Sequence, residues 1–216
     1  LSALLRQKSY LSVSYFDEPF NKNFLNLEGR TFFDFIDKGQ TILDKTKADV
    51  LVWGCREHDK IRLNFQTASQ YEKGNSSFVS LLDSLYLPAS LFEHAETIPS
   101  SILELICGAI VSTLDTPNKQ CEIRQKYLLK KIIRELSINN SAQNLGIEYL
   151  PYIMNFLALI YLSYCRHSNN GKELKIVNNL LENAIKHQDL IKNPLHLGCI
   201  YNHFGQLHEQ AVKNLD

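Results

Sequence analysis

Net charge is what this chain most plainly lacks. Lys plus Arg number 23 and Asp plus Glu also number 23, so no overall field draws it to nucleic acid or an anionic membrane. It has no CxxC pair, and its five cysteines, at 55, 107, 121, 165 and 199, are odd in number. A secreted disulfide framework would show an even count in a shorter chain. Buried free thiols in a reducing, cytoplasmic compartment are therefore expected. Long apolar runs are missing too. The longest uncharged stretch, LPYIMNFLALIYLSYC from Leu150 to Cys165, contains Pro151, Asn155 and Ser163. It falls short of the about 20 residues a spanning helix needs, so a buried helix is expected and no membrane span. The phosphate-loop, dinucleotide, nucleophile-elbow and HExxH zinc motifs are all absent, which leaves no usual ground for catalysis or a cofactor.

What is present suits a folded chain. Hydrophobic residues make up 44% and charged residues 21% of 216 positions, close to the globular average and enough for one large domain or two small ones. The chain begins at Leu1 rather than Met and ends within a helical pattern at Asp216, so it reads as part of a longer protein.

The first part reads as mixed α and β. Residues 10–16 alternate, with Leu11, Val13 and Tyr15 against Ser12 and Ser14, which predicts a half-buried strand. Residues 17–27 read as a loop. Over 28–47 the apolar positions Phe32, Phe35, Ile36, Ile42 and Leu43 share one helix face with Gly39, where a missing side chain would let the helix approach a sheet closely. DVLVWGCRE over 49–57 is apolar on both sides at Val50 to Trp53 and predicts a central strand. KIRLNFQTA over 60–68 alternates Ile61, Leu63 and Phe65 with Arg62, Asn64 and Gln66. With His58-Asp59 between them, the two predict a hairpin. Gly74-Asn75-Ser76 marks a turn, and 78–87 predicts a further strand.

After Ile98 the pattern is helical. Ser101 followed by Glu104 has capping-box spacing behind Pro99. The periodicity predicts helices over about 99–114, 118–136, 148–166, 172–191 and 195–215. Ile123, Tyr127, Ile133 and Leu136 are the expected buried face of the second. Pro117, Gly171 and Pro194 act as breaks, and 137–143 as a polar loop.

Two tetrads recur 47 residues apart: Asn155-Phe156-Leu157-Ala158 and Asn202-His203-Phe204-Gly205. Met154, Leu157, Ala158 and Tyr161, then Tyr201, Phe204 and Gly205, follow a pattern of a large residue, a bulky apolar residue with a small one after it, and a later aromatic. His208 departs from the aromatic. Ala184 supplies a small residue in the intervening helix. These positions resemble the tetratricopeptide-repeat family, in its longer-repeat branch found in bacterial repeat proteins and kinesin light chains. The usual period is about 34 residues, so the wider spacing departs from the family. The strand, helix and hairpin around ADVLVWG also resemble the small α/β domain at the amino end of TolB.

The resemblance implies a mainly α chain with an α+β amino-terminal part. A small sheet with a packed helix (1–97) would precede antiparallel helix pairs of a solenoid (98–216). Ala158 and Gly205 would be the small residues that let neighbouring helices nest. The first helices of such repeats line a concave surface that holds an extended peptide. By register that surface comprises Tyr152, Asn155, Leu159 and Leu162, then Asn202, Gln206 and Glu209. Amides suit peptide contact because they donate and accept at once.

Other chemistry was weighed. His196, His203 and His208 are spaced seven and five apart, unlike the i, i+4 spacing of two ligands on one helix face, so no metal is expected. Cys55 and His58 lie near each other without an evident base or oxyanion site. Arg124, Lys126, Lys130, Lys131 and Arg134 gather on one helix, interrupted by Glu122 and Glu135, and read as a solvated face. The expected function is a non-enzymatic scaffold for a protein or peptide. The alternatives are a ligand-sensing or enzymatic pocket near Trp53, Cys55 and His58, and a self-association module.

Overall fold

In the computed structural model the described residues are 5–8, 12, 30–67, 83–93, 98–114, 116, 118–138, 145–166, 171–192 and 194–213. The strand expected at 10–16 (apart from Ser12), the loop at 17–27 and the turn at 74–76 lie outside them.

His58 and Asp59 fold Val50–Glu57 (β1) back onto Lys60–Thr67 (β2), in register from Glu57 opposite Lys60 to Val50 opposite Thr67. His58 takes a left-handed φ of 57°, which lets a two-residue loop follow the strand twist. Ser84–Pro88 (β3) pairs antiparallel with the far edge of β2. Among the described residues the order is β1-β2-β3, which puts β2 in the middle, where β1 was expected. Burial agrees: the polar residues of β2 are enclosed too, with Arg62 6%, Asn64 3% and Gln66 1% exposed. Helices cover both faces of the sheet.

Arg30–Thr46 (α1) packs on β1 and β2, burying Ile42, Leu43 and Gly39. A Cβ on Gly39 would run into the Gln66 side-chain amide, so the close approach read from this glycine is what the helix makes. Against the opposite face lies Ser100–Thr113 (α2), buried from Ser101 through Thr113. It begins directly after Pro99 with no side-chain cap. Ser101 is therefore already inside the helix, and Glu104 pairs with Lys8 rather than closing a capping box.

Lys119–Ile138 (α3) starts at Asn118, whose Oδ1 accepts the Cys121 N–H at 3.0 Å. Its inward residues are Gln125, Leu129, Ile132 and Leu136. Ile123 and Tyr127, expected in the core, are 62% and 68% exposed. The Gln125 amide takes the inward phase because it donates to the Val111 and Leu114 carbonyls at the end of α2, at 2.8 and 3.0 Å.

Three more helices follow: Leu150–Cys165 (α4), Gly171–Lys186 (α5) and Pro194–Lys213 (α6). Pro151 sits in the first turn of α4, and Pro194 opens α6, both places where a missing N–H costs nothing. Gly171, expected to separate helices, is the first residue of α5. Contacts fix the direction of α6. His196 meets Tyr152, His203 meets Asn155 and Gln210 meets the Cys165 carbonyl, so α6 runs parallel to α4 while α5 packs against both. Among the described residues no helix is long and apolar enough to cross a membrane.

The chain is thus mostly helical with a small antiparallel sheet at its amino-terminal end. The boundary expected between 97 and 98 does not divide the packing. Leu63, Phe65, Leu85 and Leu87 of the sheet share one core with Ile102, Ile106, Ile132 and Phe156 of the helices, and the Phe65 and Phe156 rings lie 5.6 Å apart. A second cluster joins Ala158 and Leu162 of α4, Val177, Leu181 and Ala184 of α5, and Ile200 and Leu207 of α6.

Candidate functional site

β3 is flanked by α4, and the first half of α6 reaches the same edge. Polar side chains from all three elements converge there. Asp83, the residue before β3, is enclosed, and its Oδ2 stands 3.3 Å from His203 Nε2. Nδ1 of the same ring donates to Asn155 Oδ1 at 2.7 Å. His203 is wholly buried and Asn155 is 7% exposed. Nδ1–H is committed to an amide oxygen, while Nε2 faces the carboxylate without a hydrogen bond to it.

An aromatic group adjoins this clamp. The Tyr86 and Tyr152 rings are 4.6 Å apart, and His196 meets them edge-on at 5.1 and 5.6 Å. Arg62, which forms an ion pair with Glu57 at 3.1 Å, also bonds the Tyr86 hydroxyl. Burial pushes the Tyr86 phenol up to about 12, with Arg62 opposing. Burial also raises Tyr152, opposed by a backbone hydrogen bond from Lys192. His196 is driven the other way, down to about 4, first by burial and then by the Arg62 charge, with Asp83 opposing. Its ring is therefore neutral at pH 7, and its buried Nδ1 has no hydrogen-bond partner among the described residues.

Between these groups lies a cavity of about 10 Å³, lined by Asp83, Ser84, Tyr152, Asn155, His196 and Cys199 among others. That volume is near the minimum for one water, roughly 10–15 Å³. An acid beside an imidazole is the pairing that activates nucleophiles, and here both are enclosed. What this arrangement can do is hold β3, α4 and α6 together.

The sequence-derived peptide surface divides. Leu159 and Leu162 are 0% exposed, while Tyr152 and Asn155 belong to the buried clamp. These four face the core and cannot line an open groove, because β3 and α6 cover the side of α4 that the repeat pattern leaves open. On α6, Asn202 and Glu209 are exposed and Gln206 is half-buried. Of the repeat positions, Ala158 and Ala184 are 0% exposed and sit in the core between α4, α5 and α6. Leu157 packs at the margin of the main core, and Tyr161 and Phe204 at the margin of the second, while Tyr201 is exposed. Gly205 does not mediate a close crossing: a Cβ there would have nothing within 4 Å. That role falls to Gly108 on α2, where a Cβ would lie 2.5 Å from Ile160 Cδ1 of α4.

None of Trp53, Cys55 and His58 lines the enclosed cavity or a second, larger cleft. Trp53 is 7% exposed and His58 is exposed; the Cys55 side chain lies outside the description. A cleft of about 480 Å³ opens instead beyond the hairpin turn, lined by Arg56, Asp59, Ser90, Glu93, Glu148 and Tyr149 among others. An ion pair from Arg56 to Glu93 at 3.1 Å occupies part of this charged rim.

His196 and His203 turn inward, whereas His208 is exposed. Among the described residues no three His, Cys, Asp or Glu side chains converge as a metal site. Sequence reasoning missed Asp83 and Tyr86. The available signal was a carboxylate inside the apolar run LLDSLYLP, which in a buried strand demands a partner. No protein-family model, curated protein or solved structure matches the chain.

Proposed function

We propose that this chain is a non-enzymatic protein-interaction module of tetratricopeptide-like build, whose docking surface is the outer face of α6. One observation carries the reading. α6 lies parallel to α4 with α5 packed against both, and its far side is open, exposing Leu195 at 55%, Tyr201 at 53% and Val212 at 60%. Gly198 and Gly205 fall on the same side and have open space where a Cβ would be, so an approaching backbone could come close. Asn202, Gln206 and Glu209 supply polar contacts around that strip.

The occupant we favour is a helix of another protein, laid where the next helix of a continuing stack would pack. Neither nucleic acid nor a cofactor is part of this reading. The free thiols of Cys107, Cys121, Cys165 and Cys199 fit a reducing compartment, and we assign the protein to the cytoplasm on that basis.

The test is affinity capture with the wild-type chain against Tyr201→Glu and Val212→Glu, with helical circular dichroism as the folding control. Proteins retained by the wild type should be lost from both folded variants. An unchanged set of captured proteins would reject the α6 surface. If the wild type instead scatters light as a dimer and the variants as monomers, the occupant is a second copy rather than a different protein.

A further inference from the structure

Charge on α3 is segregated in a way the composition hides. At 100° per residue, Ile123, Tyr127, Lys130 and Arg134 form one stripe, with Arg124 and Lys131 on its shoulders. All six are exposed, the two apolar ones at 62% and 68%. Glu122 projects well away from the stripe, and Glu135 is half-buried at its margin. A chain of zero net charge therefore carries four cations around an exposed apolar pair on one helix face. The opposite side, through Gln125, Leu129, Ile132 and Leu136, is fully engaged in the core, so the stripe cannot turn inward.

We infer that the outer face of α3 docks an acidic amphipathic helix of a partner protein. The cations call for carboxylates, and complementary charge governs encounter rate and register. Ile123 and Tyr127, one turn apart, match the spacing of anchors on a helix that buries its apolar side. The same pair disfavours the other anionic partners. A solvent-exposed aliphatic side chain gains nothing against a phosphate backbone, and two apolar residues are a poor anchor for a bilayer interface. This surface lies on a different helix from the α6 strip, so either can fail alone.

The probe is a synthetic helical peptide of about five turns with Leu at i and i+4 flanked by Glu, titrated by fluorescence anisotropy. Controls are its Glu-to-Gln and Leu-to-Ser forms, polyuridylate, and vesicles of phosphatidylserine in phosphatidylcholine. The acidic peptide should bind, weaken as salt rises, and lose roughly tenfold or more in either control form. Ile123→Ser with Tyr127→Ser should lose a similar factor. Lys130→Glu with Arg134→Glu should do the same, and this charge-reversed variant should regain binding to a peptide carrying Lys in place of Glu. All these substitutions are at exposed positions, so unchanged circular dichroism checks the fold. Binding indifferent to the Glu-to-Gln change would overturn the proposal, as would no binding up to about 1 mM. So would tighter, stripe-dependent binding of polyuridylate or vesicles.

Discussion

Asn155 on α4 accepts a 2.7 Å hydrogen bond from the ring of His203 on α6, and both side chains are buried. The two lie 48 residues apart, and the contact is the middle one of three that set the register between parallel helices. Its other consequence concerns the repeat. Asn155 and Asn202 occupy matching places in their tetrads, yet one is locked in the clamp and the other faces solvent. Equivalence in sequence does not make them equivalent in role.

Removing the acid should expose how much this clamp holds. Asp83→Ala leaves the imidazole enclosed beside an empty place, and removing a buried polar neighbour costs about 1–3 kcal/mol. The midpoint of urea unfolding should fall accordingly. A change within about 0.5 kcal/mol would place the pair at the surface instead.

The glycines should respond in opposite directions. Gly108→Ala pushes a methyl to 2.5 Å from Ile160 Cδ1, and overpacking of a tight core costs about 1–3 kcal/mol. Gly205→Ala meets open space inside a helix and should stabilise by about 1 kcal/mol through helix propensity. Thermal melts of the two variants decide it. Destabilisation by Gly205→Ala would restore the close crossing first expected there.

Acid should weaken the fold through His196. The unfolded chain takes up this proton near 6.5, the folded one only near 4. Its contribution is therefore complete above pH 6.5 and drains away as pH falls towards 4. Over that window the loss integrates to about 3 kcal/mol. His196→Phe keeps an aromatic ring between the tyrosines and should flatten this part of the stability profile. An identical slope in the variant would assign the acid sensitivity to other groups.

Thiol chemistry should grade with burial. Cys107 and Cys165 are 0% exposed, and burial, aided by Glu173, lifts the Cys165 thiol to about 12. Cys121 is half-buried. Under native alkylation followed by mass spectrometry, Cys121 should label first of Cys107, Cys121, Cys165 and Cys199, and Cys165 only on unfolding. Early labelling of Cys165 would contradict the packing of α4 on α5.

Much of the scaffold was legible because periodicity survives packing. The hairpin at His58-Asp59, the glycine approach at Gly39 and all five later helices follow from pattern and turn chemistry. Tertiary satisfaction decided what the pattern could not. Gln125 took an inward phase because the end of α2 offered it two carbonyls, which turned Ile123 and Tyr127 outward. Among the described strands β2 is the middle one because β3, foreshadowed only by a short apolar run, paired with its free edge. The peptide surface on α4 failed for the same reason: a repeat register reports which residues share a helix face, but not that a strand covers that face.

Most depends on α6 lying beside α4, and a double-mutant cycle between Asn155→Ala and His203→Ala reads that contact directly by urea unfolding. A coupling of about 1 kcal/mol or more is expected for a buried pair sharing a hydrogen bond. Losses that simply add, within about 0.5 kcal/mol, would mean the two side chains do not meet and that α6 packs elsewhere.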